Sequence, residues 1–233
     1  MTGLDRSLIA GLPAFSGMGP DVLDGVLSLA RSSLHPAGSQ IFGQGEEADA
    51  FFLLLSGHVR VVQTSPEGHQ VIARYINAGE LLGIAVAMGM KAYPASAIAA
   101  VDCVVLVWPN SAWPELQVRA PAMGAAAHQT IGKRLTDTQA RYMELSSEQV
   151  EQRIARTLLR LISQSGRKTA AGIEIDFPIT RQEIAEMSGT TLHTVSRTLS
   201  KWEAGGLLLG SRKKVTVVDA HALMLLAETP GAD

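Results

Sequence analysis

The sequence is poor in cysteine, in charge and in uninterrupted apolar runs, and each shortage removes a class of protein. Its 233 residues include one cysteine, Cys103. A single thiol cannot build an intramolecular disulfide framework, a four-cysteine zinc site or a four-cysteine iron–sulfur cluster. The longest apolar run, residues 81–90, falls short of the roughly 20 residues that a membrane-spanning helix needs. Residues 1–15 carry Asp5 and lack a basic start followed by an apolar core, so no secretory signal is expected there. A cytoplasmic protein with no membrane partner is the expectation. Charged residues make up 18% against 46% apolar, which excludes a disordered chain and supplies a core for one large domain or two ordinary ones. Excess positive charge is missing too: 20 Lys and Arg face 22 Asp and Glu, a net of −2. A protein that coats nucleic acid with its whole surface would be strongly basic. Any nucleic-acid contact must come from a local patch.

What is present changes period along the chain. Between about residues 35 and 109, short β-rich runs alternate with turn residues. Phe51 to Leu55 ends at Ser56-Gly57, His58 to Thr64 follows, and Ser65-Pro66-Glu67-Gly68 turns into His69 to Ile76. Cys103 to Trp108 is a last strand closed by Pro109. This spacing predicts a small barrel or roll rather than a parallel sheet with helical crossovers. From Ser111 onward the pattern is helical. Gly124, Ala127, Ile131, Leu135, Thr138, Tyr142 and Leu145 form a near-heptad seam on one long helix. Such a seam packs either on its own domain or on a second copy. A second amphipathic stripe, Ile154, Leu158, Leu161 and Ile162, ends at a loop expected over residues 165–168.

The chemistry-bearing stretch is residues 180–200. Thr180 followed by Glu183 predicts a capping box opening a helix. Ala185, Gly189 and Val195 then supply a small residue for close helix crossing, a glycine for the turn and an aliphatic lock on the second helix. On that second helix Leu192, Val195 and Leu199 are expected to face the core, with Trp202 extending the stripe, while His193, Ser196 and Arg197 share the other side. Arg197 suits guanine O6 and N7, and His193 and Ser196 can each exchange hydrogen bonds with base edges. Thr180, Gln182, Thr191 and Thr194 suit phosphate oxygens, as do Arg212, Lys213 and Lys214 at the tip of a two-stranded wing expected after Gly205-Gly206. Residues 178–217 carry six Lys or Arg against three Glu, a local net of +3. Binding of double-stranded DNA follows.

At these residues the chain resembles the Crp/Fnr family of bacterial transcription regulators. Ile179 to Ala185 is similar to that family's first motif helix, and Leu192 to Leu199 to its recognition helix. Ile41-Phe42-Gly43-Gln44-Gly45-Glu46, Phe51 to Val62 and Ala78 to Gly83 resemble its sensor half. The resemblance implies an α+β fold: a cyclic-nucleotide-binding-like β-roll over residues 1–118, a dimerisation helix over 119–146 and a winged helix-turn-helix over 147–233. It also implies a homodimer on a palindromic site, RNA polymerase as a partner, and no enzymatic activity.

Departures from the family pattern bear on the signal. Its cyclic-AMP binders carry a glutamate where Ile84 stands and an Arg-Ser pair where this chain reads Tyr93-Pro94-Ala95-Ser96. A buried phosphate without its arginine lacks a counter-charge, which argues against cyclic AMP. The Fnr oxygen sensors use an N-terminal cysteine cluster, excluded here by the lone Cys103. His193 with Ser196 and Arg197, together with Tyr93 to Ser96, most resembles the NnrR branch. That implies a nitric-oxide-responsive regulator of denitrification genes acting on a TTG-containing site. Haem is one route to nitric oxide sensing. The six histidines, 35, 58, 69, 128, 193 and 221, show no metal-ligand spacing, although haem needs only one. Alternatives are a regulator responding to another small molecule and a cupin-type metalloenzyme built on His58, His69 and Glu67.

Overall fold

The computed structural model describes residues 9–228; residues 1–8, within the stretch read for a secretory signal, and 229–233, at the end of the expected winged domain, lie outside them. The chain divides into two compact units, one of Met1–Gly68 with Arg74–Thr136 and one of His69–Ala73 with Asp137–Asp233.

The first unit holds helix α1 (Pro20–Ser28) and strands β1 (Arg31–His35), β2 (Gln40–Phe42), β3 (Ala50–Ser56), β4 (His58–Thr64), β5 (Gln70–Asn77, shared with the second unit), β6 (Leu81–Leu82), β7 (Ser96–Ala99) and β8 (Cys103–Pro109). They form two four-stranded sheets in the orders β1-β8-β3-β6 and β2-β7-β4-β5. The all-apolar run on β3 is explained by its place between two cores. Alternation sends Phe51 and Leu53 to one face, with Leu106, Trp108, Trp113 and the α1 residues Leu23 and Val26. Phe52 and Leu54 go to the other, with Val105, Val107, Val59 and Ala97. Phe51 stacks on Trp108 at 5.5 Å and meets Trp113 edge-on at 5.2 Å, while Trp108 Nε1 donates to Val26 O at 2.9 Å. The expected β-roll is present.

Helix α2 (Trp113–Arg119) leads into α3 (Pro121–Ser147), 27 residues long. The seam read from its spacing divides in two. Gly124 and Ala127 are buried and half-buried Ile131 packs against the first unit's core, whereas Leu135, Thr138, Tyr142 and Leu145 are exposed. Arg134 donates to Leu81 O at 2.5 Å. Burial, aided by the nearby Arg74 charge, pulls Arg134 down to about 10, so it stays protonated at neutral pH.

In the second unit α4 (Val150–Ser165) buries Ile154, Leu158, Leu161 and Ile162 as its stripe predicts. The loop expected at 165–168 is instead the start of a hairpin, β9 (Gly166–Thr169) with β10 (Gly172–Ile175). Its exposed, charged residues read as loop, but Arg167 lies opposite Glu174 and donates to it at 2.7 Å. The wing strands β11 (Leu208–Ser211) and β12 (Lys214–Val217) join this hairpin in the order β11-β12-β10-β9, so the wing belongs to a four-stranded sheet rather than standing alone. Helices α5 (Arg181–Ser188), α6 (Leu192–Ala204) and α7 (Ala220–Glu228) complete the unit.

Candidate nucleic-acid interface

The helix-turn-helix is built as its residue types require. Thr180 Oγ1 accepts from Glu183 N at 3.1 Å, and the Glu183 carboxylate accepts from Thr180 N at 2.7 Å and from its hydroxyl at 2.9 Å. This capping box opens α5. Gly189 ends it in the left-handed region at φ +63°, and a Cβ there would fall 2.5 Å from Leu145 Cδ2. The left-handed backbone favours glycine here, while the exposed Leu145 tip could move aside. Ala185 and Val195 are buried at the crossing of α5 and α6. Arg153, which sequence reasoning missed, holds the turn from behind: its guanidinium donates to Ser188 O at 3.0 Å, Gly189 O at 3.3 Å and Glu148 O at 2.8 Å. A cation on these carbonyls also offsets the negative end of α5.

On α6 the two faces separate with one correction. Val195, Leu199 and Trp202 are buried, and Trp202 Nε1 donates to Glu151 at 3.1 Å. Leu192, expected in the same stripe, is 46% exposed. It is the first residue of the helix, ahead of the turn that crosses α5. His193 and Arg197 are exposed and Ser196 is half-buried, all on one side. The phosphate candidates fare unevenly. The Thr180 hydroxyl is committed to its cap; Thr191 Oγ1 caps α6 by accepting from Thr194 N at 3.2 Å and also bonds the Thr194 hydroxyl at 3.0 Å. Gln182 is exposed and donates to Glu186 at 2.9 Å. Arg212, Lys213 and Lys214 are exposed at the wing tip, where Ile179 N donates to Lys213 O at 3.0 Å.

Ion pairing sorts the six cations of the motif. Arg181 pairs with Glu203 at 3.0 Å, Lys201 with Glu151 at 3.1 Å and Lys214 with Glu174 at 3.8 Å. Arg197, Arg212 and Lys213 make no ion pair among the described residues. The uncompensated charge thus sits on the recognition helix and the wing tip.

Arg181 has a different task. Its guanidinium donates to Ser196 O at 3.3 Å, Ser200 Oγ at 3.2 Å and both Glu203 oxygens at 3.0 Å, three positions along α6. It braces the recognition helix from the start of α5. Arg181 and Glu203 line a groove of about 300 Å³ shared with the wing, together with Ile179, Leu199, Gly210 and Lys214. A Cβ at Gly210 would overlap the Glu203 carboxylate. The carboxylate could move aside cheaply, but only by leaving Arg181. Gly210→Ala and Glu203→Gln are therefore expected to weaken specific DNA binding to a similar extent, about fivefold for about 1 kcal/mol of a partly exposed bidentate pair. Fluorescence anisotropy would measure each variant. The combined variant should lose little more than either single one.

The matches with known proteins fall on both units. Residues 152–226 match the Crp-like helix-turn-helix domain and residues 34–119 the cyclic nucleotide-binding domain. The cyclic AMP receptor protein of Thermus thermophilus is 30% identical over 217 residues, 93% of this chain and 97% of that protein. The chain belongs to the Crp/Fnr family. The transcriptional activator protein FnrA of Stutzerimonas stutzeri is 27% identical over 207 residues, covering 89% and 84% of the two chains. Among solved structures, the c-di-GMP responsive global regulator CLP of Xanthomonas campestris superposes with a TM-score of 0.75 over 86% of this chain and all of that one, at 22% identity. A DNA-binding transcription regulator with this family's β-roll, long helix and winged helix-turn-helix is therefore at hand.

Within this Crp/Fnr β-roll, the positions that depart from the cyclic-AMP pattern are largely apolar and buried. Ile84, Tyr93 and Ala95 are buried. Tyr93 stacks on Phe42 at 4.1 Å, and Phe42 on Phe52 at 5.4 Å. The Tyr93 hydroxyl donates to Ala50 O at 2.7 Å, and burial pushes it up to about 12. Half-buried Ser96 accepts from Gln44 N at 3.0 Å. Cys103 is buried, its Sγ 3.3 Å from His58 O and 3.2 Å from Val101 O, and burial raises the thiol above its ordinary value. It stays protonated at neutral pH. Accordingly, a thiol alkylating reagent should label the folded protein far more slowly than the unfolded chain, and Cys103→Ser should keep DNA binding unchanged. Mass spectrometry and anisotropy check the two outcomes.

The histidines are scattered. His58 Nδ1 lies 2.9 Å from Asn77 Oδ1, and His128 Nδ1 lies 2.8 Å from Gly124 O on α3. His35 is half-buried on β1, where burial and Arg31 lower its pKa; His69 and His221 are exposed. No group of three or more His, Cys, Asp or Glu side chains among the described residues could hold a metal ion, so His58, His69 and Glu67 do not form a cupin-type centre. No described helix is long and apolar enough to cross a membrane.

Proposed function

We propose that the protein acts as a homodimer on a two-fold symmetric, TTG-containing DNA site, reading bases with His193, Ser196 and Arg197. One observation carries this: the three side chains emerge together from a helix whose opposite face is buried, and the only cations of the motif outside described ion pairs are Arg197 and the wing-tip Arg212 and Lys213. In this reading Arg197 engages guanine, while Gln182, Arg212 and Lys213 meet phosphates and fix the register. In the Thr191–Thr194 pair, whichever hydroxyl accepts keeps its own proton to donate to a phosphate. The exposed half of the α3 seam joins the two copies, and RNA polymerase is the partner of an activator on such a site. Footprinting tests it: two protected half-sites about one helical turn apart are expected, and an asymmetric single footprint would overturn it.

The signal we assign is nitric oxide, controlling nitrogen-oxide or denitrification genes in the manner of the NnrR branch. Its support is the pairing of His193 with Ser196 and Arg197 and the Tyr93 to Ser96 segment, with no arginine in that segment to meet a cyclic phosphate. A Soret band on haem reconstitution, with DNA affinity that changes with nitric oxide, is the expected result. A regulator answering to another small molecule is the second reading, favoured by the burial of Cys103 and the engagement of His58 with Asn77. Constitutive DNA binding with no spectral change would leave that second reading in place.

A further inference from the structure

We infer that Glu144 and Glu148, held by Arg160 and Arg156 across the corner between α3 and α4, are positioning residues that set which half-site spacing the dimer accepts; this rests on the homodimer on a two-fold site proposed above. Both Glu144 oxygens accept from Arg160 Nη1, at 2.6 and 2.8 Å, and Glu148 Oε1 accepts from Arg156 Nε at 2.7 Å. Only Glu148 and Gln149 separate the two helices. Arg153, one turn before Arg156, donates to the Glu148 carbonyl as well as to those of Ser188 and Gly189 at the turn before the recognition helix. The corner and the helix-turn-helix therefore share α4 as one support.

These charges sit at the wrong ends of their own helices. Glu144 and Glu148 stand at the C-terminal end of α3, where the helix dipole disfavours a carboxylate. Arg153 and Arg156 stand in the first two turns of α4, where it disfavours a cation. Glu144 and Glu148 also repel each other at i, i+4, as do Arg156 and Arg160. Neither helix gains from them alone; they are matched only across the corner. Nor is the clasp built for stability alone. Glu148 Oε2 and Arg160 Nε are buried with no hydrogen-bond partner among the described residues, a cost that apolar packing would avoid. What the clasp fixes is direction. The exposed part of the α3 seam ends at Leu145, before the corner, and α6 lies beyond it. The angle at the corner thus sets how far apart, and at what rotation, two copies hold their recognition helices.

The test uses the full chain and starts by selecting its preferred site from a random DNA library. That site is rebuilt with one base pair added to or removed from its centre, which displaces one half-site by about 3.4 Å and about 35° around the duplex. The native protein should bind both altered sites about tenfold more weakly or worse, because a stiff dimer that misses one half-site loses most of its bivalent gain. In Glu144→Gln/Glu148→Gln the neutral amides release the arginines, the corner adjusts, and that penalty should fall to about threefold or less. Affinity for an isolated half-site should stay within about twofold of native, since the reading face is distant and unchanged. Exchanging one pair, Glu144→Arg with Arg160→Glu, should bring the spacing penalty back. If the double variant does not melt cooperatively, Glu144→Gln alone is read in the same way, with a smaller narrowing. A native protein indifferent to spacing, or a penalty unchanged in the folded variant, overturns the inference while leaving DNA reading intact. So does a loss on the half-site equal to that on the full site, which would mean that the clasp only holds the fold. If the native protein selects no two-fold site at all, the homodimer reading falls and the inference with it.

Discussion

Arg197→Ala is expected to lower affinity for the selected site by about 1–3 kcal/mol, about fivefold to more than a hundredfold, and to abolish discrimination at one base position. The size follows from the state of the guanidinium before DNA arrives. Arg197 is exposed and holds no ion pair among the described residues, so binding costs it no internal partner. Two parallel hydrogen bonds to guanine O6 and N7 then act where water is excluded. Lysine retains the charge and loses the fork, so Arg197→Lys should restore the salt dependence of binding without restoring the base preference. The wing behaves differently. Removing Arg212 and Lys213 together should weaken every sequence alike and reduce the slope of log K against log salt by about two, because two phosphates are no longer neutralised. Anisotropy titrations over a range of salt, on the selected site and on a single-base variant, separate the outcomes. An Arg197→Ala protein that still distinguished the two sites would remove Arg197 from the reading face.

Arg181 makes the reason for that contrast visible in the sequence and also shows where sequence stops. In a charge count Arg181 and Arg197 weigh the same. Only the fold brings Ser196, Ser200 and Glu203 under the Arg181 guanidinium, across fifteen to twenty-two residues of chain. Local patterns were readable for a physical reason: the capping box, the glycine turn and the buried face of α6 are each set by neighbours within a few residues. The strands β3, β4, β5 and β8 were readable because their apolar alternation or continuity announces burial. Strand β1, Arg-Ser-Ser-Leu-His, carries no such signal; it exists because residues 31–35 pair with 103–107, far along the chain. The hairpin of β9 and β10 is likewise polar and held by pairing with the wing. Leu192 shows the opposite error. Its spacing fits the buried stripe, but the stripe runs out of partners at the first turn of the helix.

The same limit applies to the seam on α3, where one heptad pattern serves two environments. Gly124 and Ala127 are used up inside the first unit, and the pattern continues through Leu135, Thr138, Tyr142 and Leu145, which are exposed. Leu135 is 60% exposed and Tyr142 70%. Apolar side chains that repeat in register along a helix are stable in water only when a matching surface covers them, and a second copy of the same helix is self-complementary. Tyr142→Asp therefore should dissociate the dimer, because two copies would bury two carboxylates against each other without a counter-charge. Each protomer would then meet its half-site independently. Losing the linkage between the two binding events should reduce affinity for the full palindrome about a hundredfold or more, while affinity for an isolated half-site stays at the native protomer's value. Sedimentation equilibrium and titrations on full and half sites measure both quantities. Since Tyr142 is exposed, the fold of the variant should be intact by circular dichroism. A dimer that survived both Tyr142→Asp and Leu135→Asp would place the two-fold axis elsewhere on the molecule.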